Sequence, residues 1–130
     1  MKRKFTVTLL LLTSMVIAGA PLWAHHGNSA YDTNHPITLK GTVTEFAWTN
    51  PHVQIYFDVK NDKGEIVHWS CETFSPGKLV RSGWSKTAVK PGDQITVTLL
   101  PSKAGKPVGF LRKIQVAGGQ ELGLDEMPKY

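Results

Sequence analysis

The feature that most constrains this fold is a two-residue alternation of apolar and polar side chains, which recurs in five short runs. The runs cover residues 37–45, 52–59, 67–71, 95–99 and 108–116. Alternate side chains of a β-strand point to opposite faces, so each run predicts a strand with one face in a core. The side chains expected to face that core are Ile37, Leu39, Val43, Val53, Ile55, Phe57, Val59, Val67, Trp69, Cys71, Ile95, Val97, Leu99, Phe110, Ile114 and Val116.

A short helix is predicted between the third and fourth runs. Ser75 precedes Pro76, as in a helix N-cap followed by proline at the first helical position, and Leu79, Val80 and Trp84 supply one apolar side. Three strands, a helix and two more strands is the order of an OB-fold, an all-β barrel of five strands. The competing immunoglobulin-like sandwich needs about seven strands. We therefore predict an OB-fold-like barrel over residues 37–118, with the helix between strands 3 and 4.

The regular pattern is interrupted at three places. Gly41 lies inside the first strand, where a missing side chain lets the strand coil sharply, and the parity breaks at Glu45–Phe46, which predicts a β-bulge. Arg112 shares the inward parity of the fifth strand, so we expect it either at a barrel end or in a local bulge.

The amino terminus has the pattern of a secretory signal. Lys2–Lys4 form a basic region, an apolar stretch covers 5–20, and Leu22–Ala24 offers a cleavage site. The alternative of an uncleaved anchor is disfavoured because the stretch is short for a span of ~20 residues and contains Thr and Ser. We expect a signal peptide at 1–24, an arm at 25–36, a flexible tail at 119–130, a periplasmic or secreted location, and no stable membrane insertion after cleavage.

Charge and cysteine content narrow the class further. The precursor carries 15 Lys and Arg against 10 Asp and Glu, for a net charge of +5, but the signal contains three of the basic residues, which leaves +2. Because most of the excess is targeting charge, nucleic acid is not expected as a partner. Cys71 is the only cysteine, so no intramolecular disulfide forms, and its parity predicts a buried small hydrophobe.

Short motifs along the mature chain resemble those of DUF6152, a family of small exported bacterial proteins of unknown function. The Trp48–His52 segment, Trp-Thr-Asn-Pro-His, is the most specific of them. The others are His25–His26, Gly41–Ala47, Ser75–Pro76, Gly83–Trp84, Lys90–Asp93 and Gly109–Arg112. The resemblance implies no activity, so function must be argued from the residues.

A metal site is the first functional hypothesis. If the mature chain begins at His25, its α-amino nitrogen and ring Nδ1 can chelate one ion, and a second imidazole would complete a three-nitrogen set resembling a histidine brace. Such nitrogen-rich tetragonal sites suit Cu(II). His52 and His35 are candidates for the second imidazole, and His26 can assist with its amide or ring. Copper is accordingly the expected cofactor.

Each histidine also has a structural interpretation. His25 and His26 can be a polar flank of the cleavage site, and His35 a turn residue. His52 can hydrogen-bond the corner around Trp48 and Asn50, while the expected strand register, with Val59 opposite Val67, sets His68 beside Asp58.

A metal-free binding module is the alternative function. OB-fold barrels bind extended ligands across one strand face, and we expect Trp48, Asn50 and Tyr56 to contribute, with Tyr31 and Trp84 as further stacking surfaces. The sequence contains no nucleophile, metalloprotease or phosphate-loop motif. We therefore do not expect an enzyme.

Overall fold

The computed structural model describes residues 30–124. Over that range the chain forms six strands and one α-helix. The elements are β1 (Ile37–Ala47), β2 (Gln54–Lys60), β3 (Ile66–Glu72), α1 (Pro76–Arg81), β4 (Gln94–Pro101), β5 (Val108–Val116) and β6 (Glu121–Gly123). No helix within this part of the chain has the length and apolar character needed to cross a membrane.

The strands follow the order β3-β2-β1-β4-β5-β6, and a parallel pairing of β3 with β5 closes the first five into a barrel. Since the helix lies between β3 and β4, the predicted five-stranded OB-fold-like barrel is confirmed. The closure, which we call the seam, joins Ser70–Glu72 to Val108–Phe110. At the seam a Cβ on Gly109 would lie 2.5 Å from Leu99 Cδ1 and 2.8 Å from the Leu100 carbonyl oxygen. Glycine is therefore required at this position for β5 to approach β4 as closely as it does.

Strand β1 serves both halves of the barrel. Its first part, from Ile37 to Thr42, pairs with β4, and its second part, from Thr42 to Ala47, pairs with β2. The strand changes partner beside Gly41, where a Cβ would lie 2.5 Å from the Asp58 carbonyl oxygen. The absence of a side chain at Gly41 therefore allows this close approach of β1 to β2.

Two predicted irregularities can be compared with the observed register. The β1 bulge lies between Val43 and Glu45, earlier than the predicted Glu45–Phe46, because Phe46 pairs in register with Ile55. In β5, Leu111 pairs with Leu99 and Lys113 with Thr98, so Arg112 is the additional residue of a bulge. The expectation of a local bulge at Arg112 is confirmed.

The core contains ten of the 16 residues that the alternation assigned to it. Phe57, Ile55, Leu99, Leu111 and Ile114 are fully buried. The other six predicted core residues are only partly buried: Ile37, Leu39, Val59, Val67, Trp69 and Val116. The full buried set is Val43, Val53, Ile55, Phe57, Cys71, Leu79, Trp84, Val89, Ile95, Val97, Leu99, Leu100, Phe110, Leu111, Ile114, Leu122 and Leu124.

Helix α1 differs from its prediction in two respects. Leu79 and Trp84 are buried, but the Val80 side chain is 59% exposed, so Val80 does not belong to the apolar face. A helix of about one and a half turns can direct only a narrow stripe of side chains toward the barrel. Ser75 occupies the N-cap position, but its side chain forms no cap hydrogen bond.

The prediction of a flexible tail from residue 119 is wrong for residues 119–124. Strand β6 pairs with β5 through Leu122 and Ile114, and Leu122 and Leu124 are buried. A strand of three residues is too short to produce a recognisable alternation in the sequence. At the other end, the arm is ordered over residues 30–36, where the Asp32 amide donates to the Pro101 carbonyl and Tyr31 forms a bridge with Ser102.

Candidate functional site

Three side chains meet where the arm crosses the end of β3. His52 Nδ1 lies 3.1 Å from Glu72 Oε2, and the Tyr31 hydroxyl donates to Glu72 Oε1 over 2.6 Å. Tyr31 and Glu72 are half-buried, while half of the His52 side chain is exposed. We call Tyr31, His52 and Glu72 the arm cluster, because it joins the arm to the barrel.

Backbone pairing brings His52 to this place. The Val53 amide donates to the Phe74 carbonyl, and the Thr73 amide donates to the Val53 carbonyl, so the chain just before β2 lies beside the end of β3. His52 itself follows the corner at Asn50–Pro51, whose peptide bond is cis. The position of the imidazole is therefore set by the β2–β3 ladder and its extension.

Tyr31 is fixed by packing as well as by its hydrogen bond. Its ring centroid lies 6.1 Å from that of Phe110, and Phe110 in turn contacts Phe74 edge to face at 5.4 Å. Burial, together with the hydrogen bond to Glu72, raises the Tyr31 pKa well above its ordinary value. The Tyr31 hydroxyl is therefore neutral over the whole physiological pH range, and it donates a hydrogen bond to Glu72.

The carboxylate also decides the tautomer of His52. An ionised carboxylate can only accept hydrogen bonds, so His52 Nδ1 must carry the proton that is shared with Glu72. The lone pair of the neutral ring is then on Nε2. This is the arrangement in which a carboxylate orients a histidine that binds a metal through its other nitrogen.

The other described histidines pair with carboxylates of their own. His35 Nδ1 lies 2.8 Å from Asp32 Oδ2, in a turn where Asp32 also accepts from the Asn34 and His35 amides. The hydrogen bond with His35, followed by that with the Asn34 amide, lowers the pKa of Asp32. The interpretation of His35 as a turn residue is thus supported.

His68 and His52 can be compared with their structural interpretations. His68 Nδ1 lies 2.6 Å from Asp58 Oδ1, and these residues are paired directly across β2 and β3, as predicted. His52, in contrast, bonds Glu72 and not the corner around Trp48 and Asn50. That interpretation was wrong because it considered neighbours along the chain and not the adjacent strand.

Among residues 30–124, no group of three or more His, Cys, Asp or Glu side chains is arranged to hold a metal ion. His35 and His52, two of the predicted ligands, each pair with a separate carboxylate. The other two, His25 and His26, lie outside the described residues.

The predicted ligand-binding residues do not form one site. Trp48 is half-buried and packs edge to face on Phe46 at 5.6 Å, and Asn50 is exposed at the corner. Tyr56, 37% exposed, lines a concavity of about 220 Å³ on the outer face of the barrel. Its main neighbours there are His68, Trp69 and Pro107, and neither Trp48 nor Asn50 contributes.

Sequence reasoning missed Glu72, which organises the arm cluster. A signal for it was present, because the predicted register of β2 and β3 is the observed one and pairs Gln54 with Glu72. Extending that ladder by two residues brings His52 close to Glu72. The role of Tyr31 carried no such signal, because its contact spans 41 residues. Trp84, another expected stacking surface, is buried.

Comparison with known proteins gives distant structural likenesses. The mitochondrial single-stranded DNA-binding protein Rim1 of S. cerevisiae is 10% identical, over 66% of this chain and 96% of that one, with a TM-score of 0.49. A selenomethionine-labelled second crystal form of Rim1 is 12% identical, over 63% of this chain and 93% of that one, with a TM-score of 0.44. A ZRD-deleted mutant of TiaS in complex with agmatine is 22% identical over 73% of this chain and 24% of that one, with a TM-score of 0.43. No curated protein sequence matched.

The exclusion of nucleic acid made from the sequence has to be corrected. Two of the structural neighbours are single-stranded DNA-binding proteins, and the expectation that nucleic acid is not a partner is therefore withdrawn. The small net charge of the mature chain was too weak a ground, because binding depends on where charge lies on the surface and not on its total. At these identities the likenesses describe the fold alone.

The family is established by the sequence itself. The model of DUF6152, a family of unknown function, matches residues 12–112. That range includes the barrel through β4, the Trp48–His52 segment and the arm cluster. The chain therefore belongs to the DUF6152 family.

Proposed function

We propose that this is an exported periplasmic binding protein whose mature chain begins at His25 and binds Cu(II) through His25 and His52. The amino nitrogen and ring of His25 supply two ligands, and His52 Nε2 supplies the third. His26 assists through its amide or ring. The role is binding and not catalysis.

The observation that carries this proposal is the hydrogen bond from His52 Nδ1 to Glu72, completed by Tyr31 on the other carboxylate oxygen. A histidine that binds a metal needs its second nitrogen engaged, since this fixes the ring and increases the basicity of the ligating nitrogen. His52 has that partner, and Glu72 is itself held by Tyr31. The imidazole is therefore oriented before any ion arrives.

The length of the arm supports the pairing with His25. Tyr31 is six residues after His25, so the intervening chain can span up to ~20 Å. Because Tyr31 is anchored on Glu72, which also bonds His52, the expected amino terminus is tethered within reach of the His52 ring. Neutral imidazole and amine nitrogens are the ligands that Cu(II) prefers in tetragonal sites.

The test is a Cu(II) titration followed by electron paramagnetic resonance on protein beginning at His25. The same protein with one additional N-terminal glycine removes the amino chelate, and His52→Ala removes the third nitrogen. His68→Ala is the matched control, because His68 is also exposed and paired with a carboxylate through Nδ1. We expect one-to-one binding with nitrogen hyperfine structure in the wild type and in His68→Ala.

Weaker binding by at least about 10-fold is expected in both the extended protein and His52→Ala, the scale seen when metal-site partners are removed. Undiminished affinity in the extended protein would contradict the role of His25. Undiminished Cu(II) affinity in His52→Ala alone would mean that the third nitrogen ligand comes from His35 and not from His52. A mature amino terminus other than His25, identified by mass spectrometry of the exported protein, would overturn the proposal.

A metal-free binding module is the second candidate, favoured by the concavity beside Tyr56. An exposed aromatic ring flanked by His68 offers a stacking surface with polar neighbours. Titration with neutral oligosaccharides in the presence of EDTA tests it. We expect Tyr56→Ala to abolish such binding and Trp48→Ala to preserve it, because Trp48 lies outside the concavity. Equal losses in both variants would contradict this site.

A further inference from the structure

A second concave surface lies on the outside of the barrel, over the bend of β1. Its volume is about 550 Å³, compared with about 220 Å³ beside Tyr56. Gly41 and Thr42 are among its lining residues, at the point where β1 changes partner from β4 to β2. The groove extends from the start of β3 to the end of β5. With neighbouring strands ~4.8 Å apart, it crosses about 19 Å of sheet, enough for an extended chain.

The lining of the groove is rich in hydrogen-bond donors. Lys40 and Lys60 are exposed and contribute their ammonium groups, and Gln94 and Gln115 contribute amides. Gln94 Nε2 donates to Thr42 Oγ1 over 2.8 Å, and this hydrogen bond fixes the two side chains relative to each other in the groove. This pair is fixed by the backbone as well, because Thr42 and Gln94 face each other across β1 and β4.

The positive charge of the groove is not neutralised from within. Neither Lys40 nor Lys60 forms an ion pair with another residue of the 30–124 range; the lysines that do are Lys90 and Lys113. The acidic side chain of the lining, Asp58, is bonded to His68 Nδ1 at 2.6 Å. The groove therefore carries two ammonium groups and one carboxylate, which leaves it one net positive charge.

The apolar part of the lining is small and aliphatic. It consists of Ile66, Ile95, Ala117 and Gly41, with no aromatic ring among the described lining residues. Binding of single-stranded nucleic acid draws much of its energy from stacking of bases on aromatic side chains. Amides, hydroxyls and ammonium groups instead match the hydroxyls and carboxylates of an acidic sugar chain.

We propose that this groove binds a segment of an acidic polysaccharide. The ammonium groups of Lys40 and Lys60 pair with its carboxylates, and the side chains of Gln94, Gln115 and Thr42 bond its hydroxyls. The site is separate from the arm cluster and needs no metal ion. It therefore stands whether or not the protein binds copper.

The test is binding of fluorescent oligogalacturonate to the exported protein at low salt, with EDTA present throughout. The methyl-esterified oligomer is the matched ligand control, because it has the same sugar chain without the charge. Lys40→Glu/Lys60→Glu reverses the groove charge, and Lys103→Glu/Lys106→Glu makes the same change of net charge in the exposed β4–β5 loop. Gln94→Ala tests the hydrogen bonds at constant charge. A thymidine homopolymer tests the nucleic-acid alternative.

We expect the groove double variant to lose at least about 10-fold in affinity and Gln94→Ala about 3-fold, in line with the loss of charged and neutral hydrogen bonds. The loop variant should lose less than about 2-fold, because it changes only long-range attraction, which salt screens. The esterified oligomer should not bind.

Three results would overturn the proposal. Absence of binding by the wild type is one. The second is an equal loss of affinity in the groove and loop variants, which would mean that only net charge matters. The third is tighter binding of the thymidine homopolymer than of oligogalacturonate, lost in the groove variant, which would assign the groove to nucleic acid. None of these results depends on the copper titration, so the two proposals fail separately.

Discussion

Cys71 and Glu72 are neighbours on β3, yet they belong to regions held together in different ways. Cys71 points into the core, pairs with Gly109 across the seam and is fully buried. Glu72 points outward, where it accepts hydrogen bonds from Tyr31 and His52. The region around Cys71 depends on shape, because Gly109, its partner, lies so close to Leu99 and Leu100 of β4 that no room is left for an added methyl group. The arm cluster depends on matched donors and acceptors, which tolerate small changes of shape.

The two regions should therefore respond differently to substitution. Removing volume from a packed core costs several kcal/mol, whereas removing one hydrogen bond at a half-buried site costs about 1 kcal/mol. Binding is expected to follow the reverse order, because the core does not touch an ion or ligand. The following substitutions test this comparison, beginning with the largest expected effect.

Phe57→Ala should have the largest effect on stability. Phe57 is fully buried at the centre of β2, so the free energy of unfolding should fall by about 3–5 kcal/mol. Urea denaturation followed by tryptophan fluorescence measures it. The control is Val80→Ala on the exposed side of α1, with an expected change within about 0.5 kcal/mol. Similar losses in both variants would mean that the core is not the main source of stability.

Gly109→Ala tests the close approach of β5 to β4 beside the seam. The added Cβ would lie 2.5 Å from Leu99 Cδ1 and 2.8 Å from a backbone oxygen, so strands must move apart. We expect a loss of about 1–3 kcal/mol in the free energy of unfolding. Gly77→Ala is the matched control, since its nearest atom would be 4.0 Å away in a helix, where alanine stabilises by up to about 1 kcal/mol. An unchanged stability of Gly109→Ala would show that β4 and β5 can move apart at little cost.

Tyr31→Phe tests the arm cluster and preserves the aromatic ring. Loss of the hydroxyl should reduce the free energy of unfolding by about 1 kcal/mol, because Glu72 keeps His52 and solvent as partners. Hydrogen exchange should accelerate at the Asp32 amide, which bonds Pro101. Tyr56→Phe, on the exposed face of β2, is the control and should change neither measurement. Unaltered exchange at Asp32 would mean that packing on Phe110 alone holds the arm.

Cys71 should have the smallest effect at neutral pH. Burial raises the pKa of its thiol to about 12. Below the ordinary thiol pKa of ~8.5 the thiol is neutral in both the folded and the unfolded chain, so it does not make stability depend on pH. Above that pH the thiol ionises only in the unfolded chain, and the free energy of unfolding falls as pH rises toward the thiol pKa of the folded protein. From pH 8.5 to 9.5 we expect a loss of about 1 kcal/mol in urea denaturation. Cys71→Ala should remove this dependence, and its persistence in that variant would assign the effect to another group.

Local pattern predicted much of the barrel because the relevant physics is local. The alternation in β2 and β3 identified the inward side chains, and the hairpin at 61–64 fixed the observed register of Val59 with Val67. The helix face at Val80 and the bulge at Val43–Glu45 were placed wrongly. In both cases a shift of one or two residues along the chain decides which side chain faces the core or where the bulge lies. That shift is set by the packing partners and not by intrinsic propensity.

The candidate sites were predicted only in part. His68 and Asp58 were paired correctly because they share one ladder. In the arm cluster, the proximity of His52 to Glu72 follows from extending the β2–β3 register by two residues. The contact of Tyr31 with Glu72 joins segments 41 residues apart, and no local pattern reports it. The groove over β1 likewise combines side chains of β1, β2, β3, β4 and β5, whose proximity exists only once the sheet has formed.

The sequence by itself determined the number and order of the first five strands, the position of the helix, the family, and the inward orientation of Cys71. These follow from side-chain alternation, turn residues and motifs, which act over a few residues. Only the tertiary structure decided that Glu72 is the partner of His52, that Tyr31 attaches the arm, that β6 belongs to the sheet, and that Lys40 and Lys60 line one groove. Barrel closure brings distant segments together, and the resulting contacts depend on three-dimensional geometry that no single stretch of sequence contains.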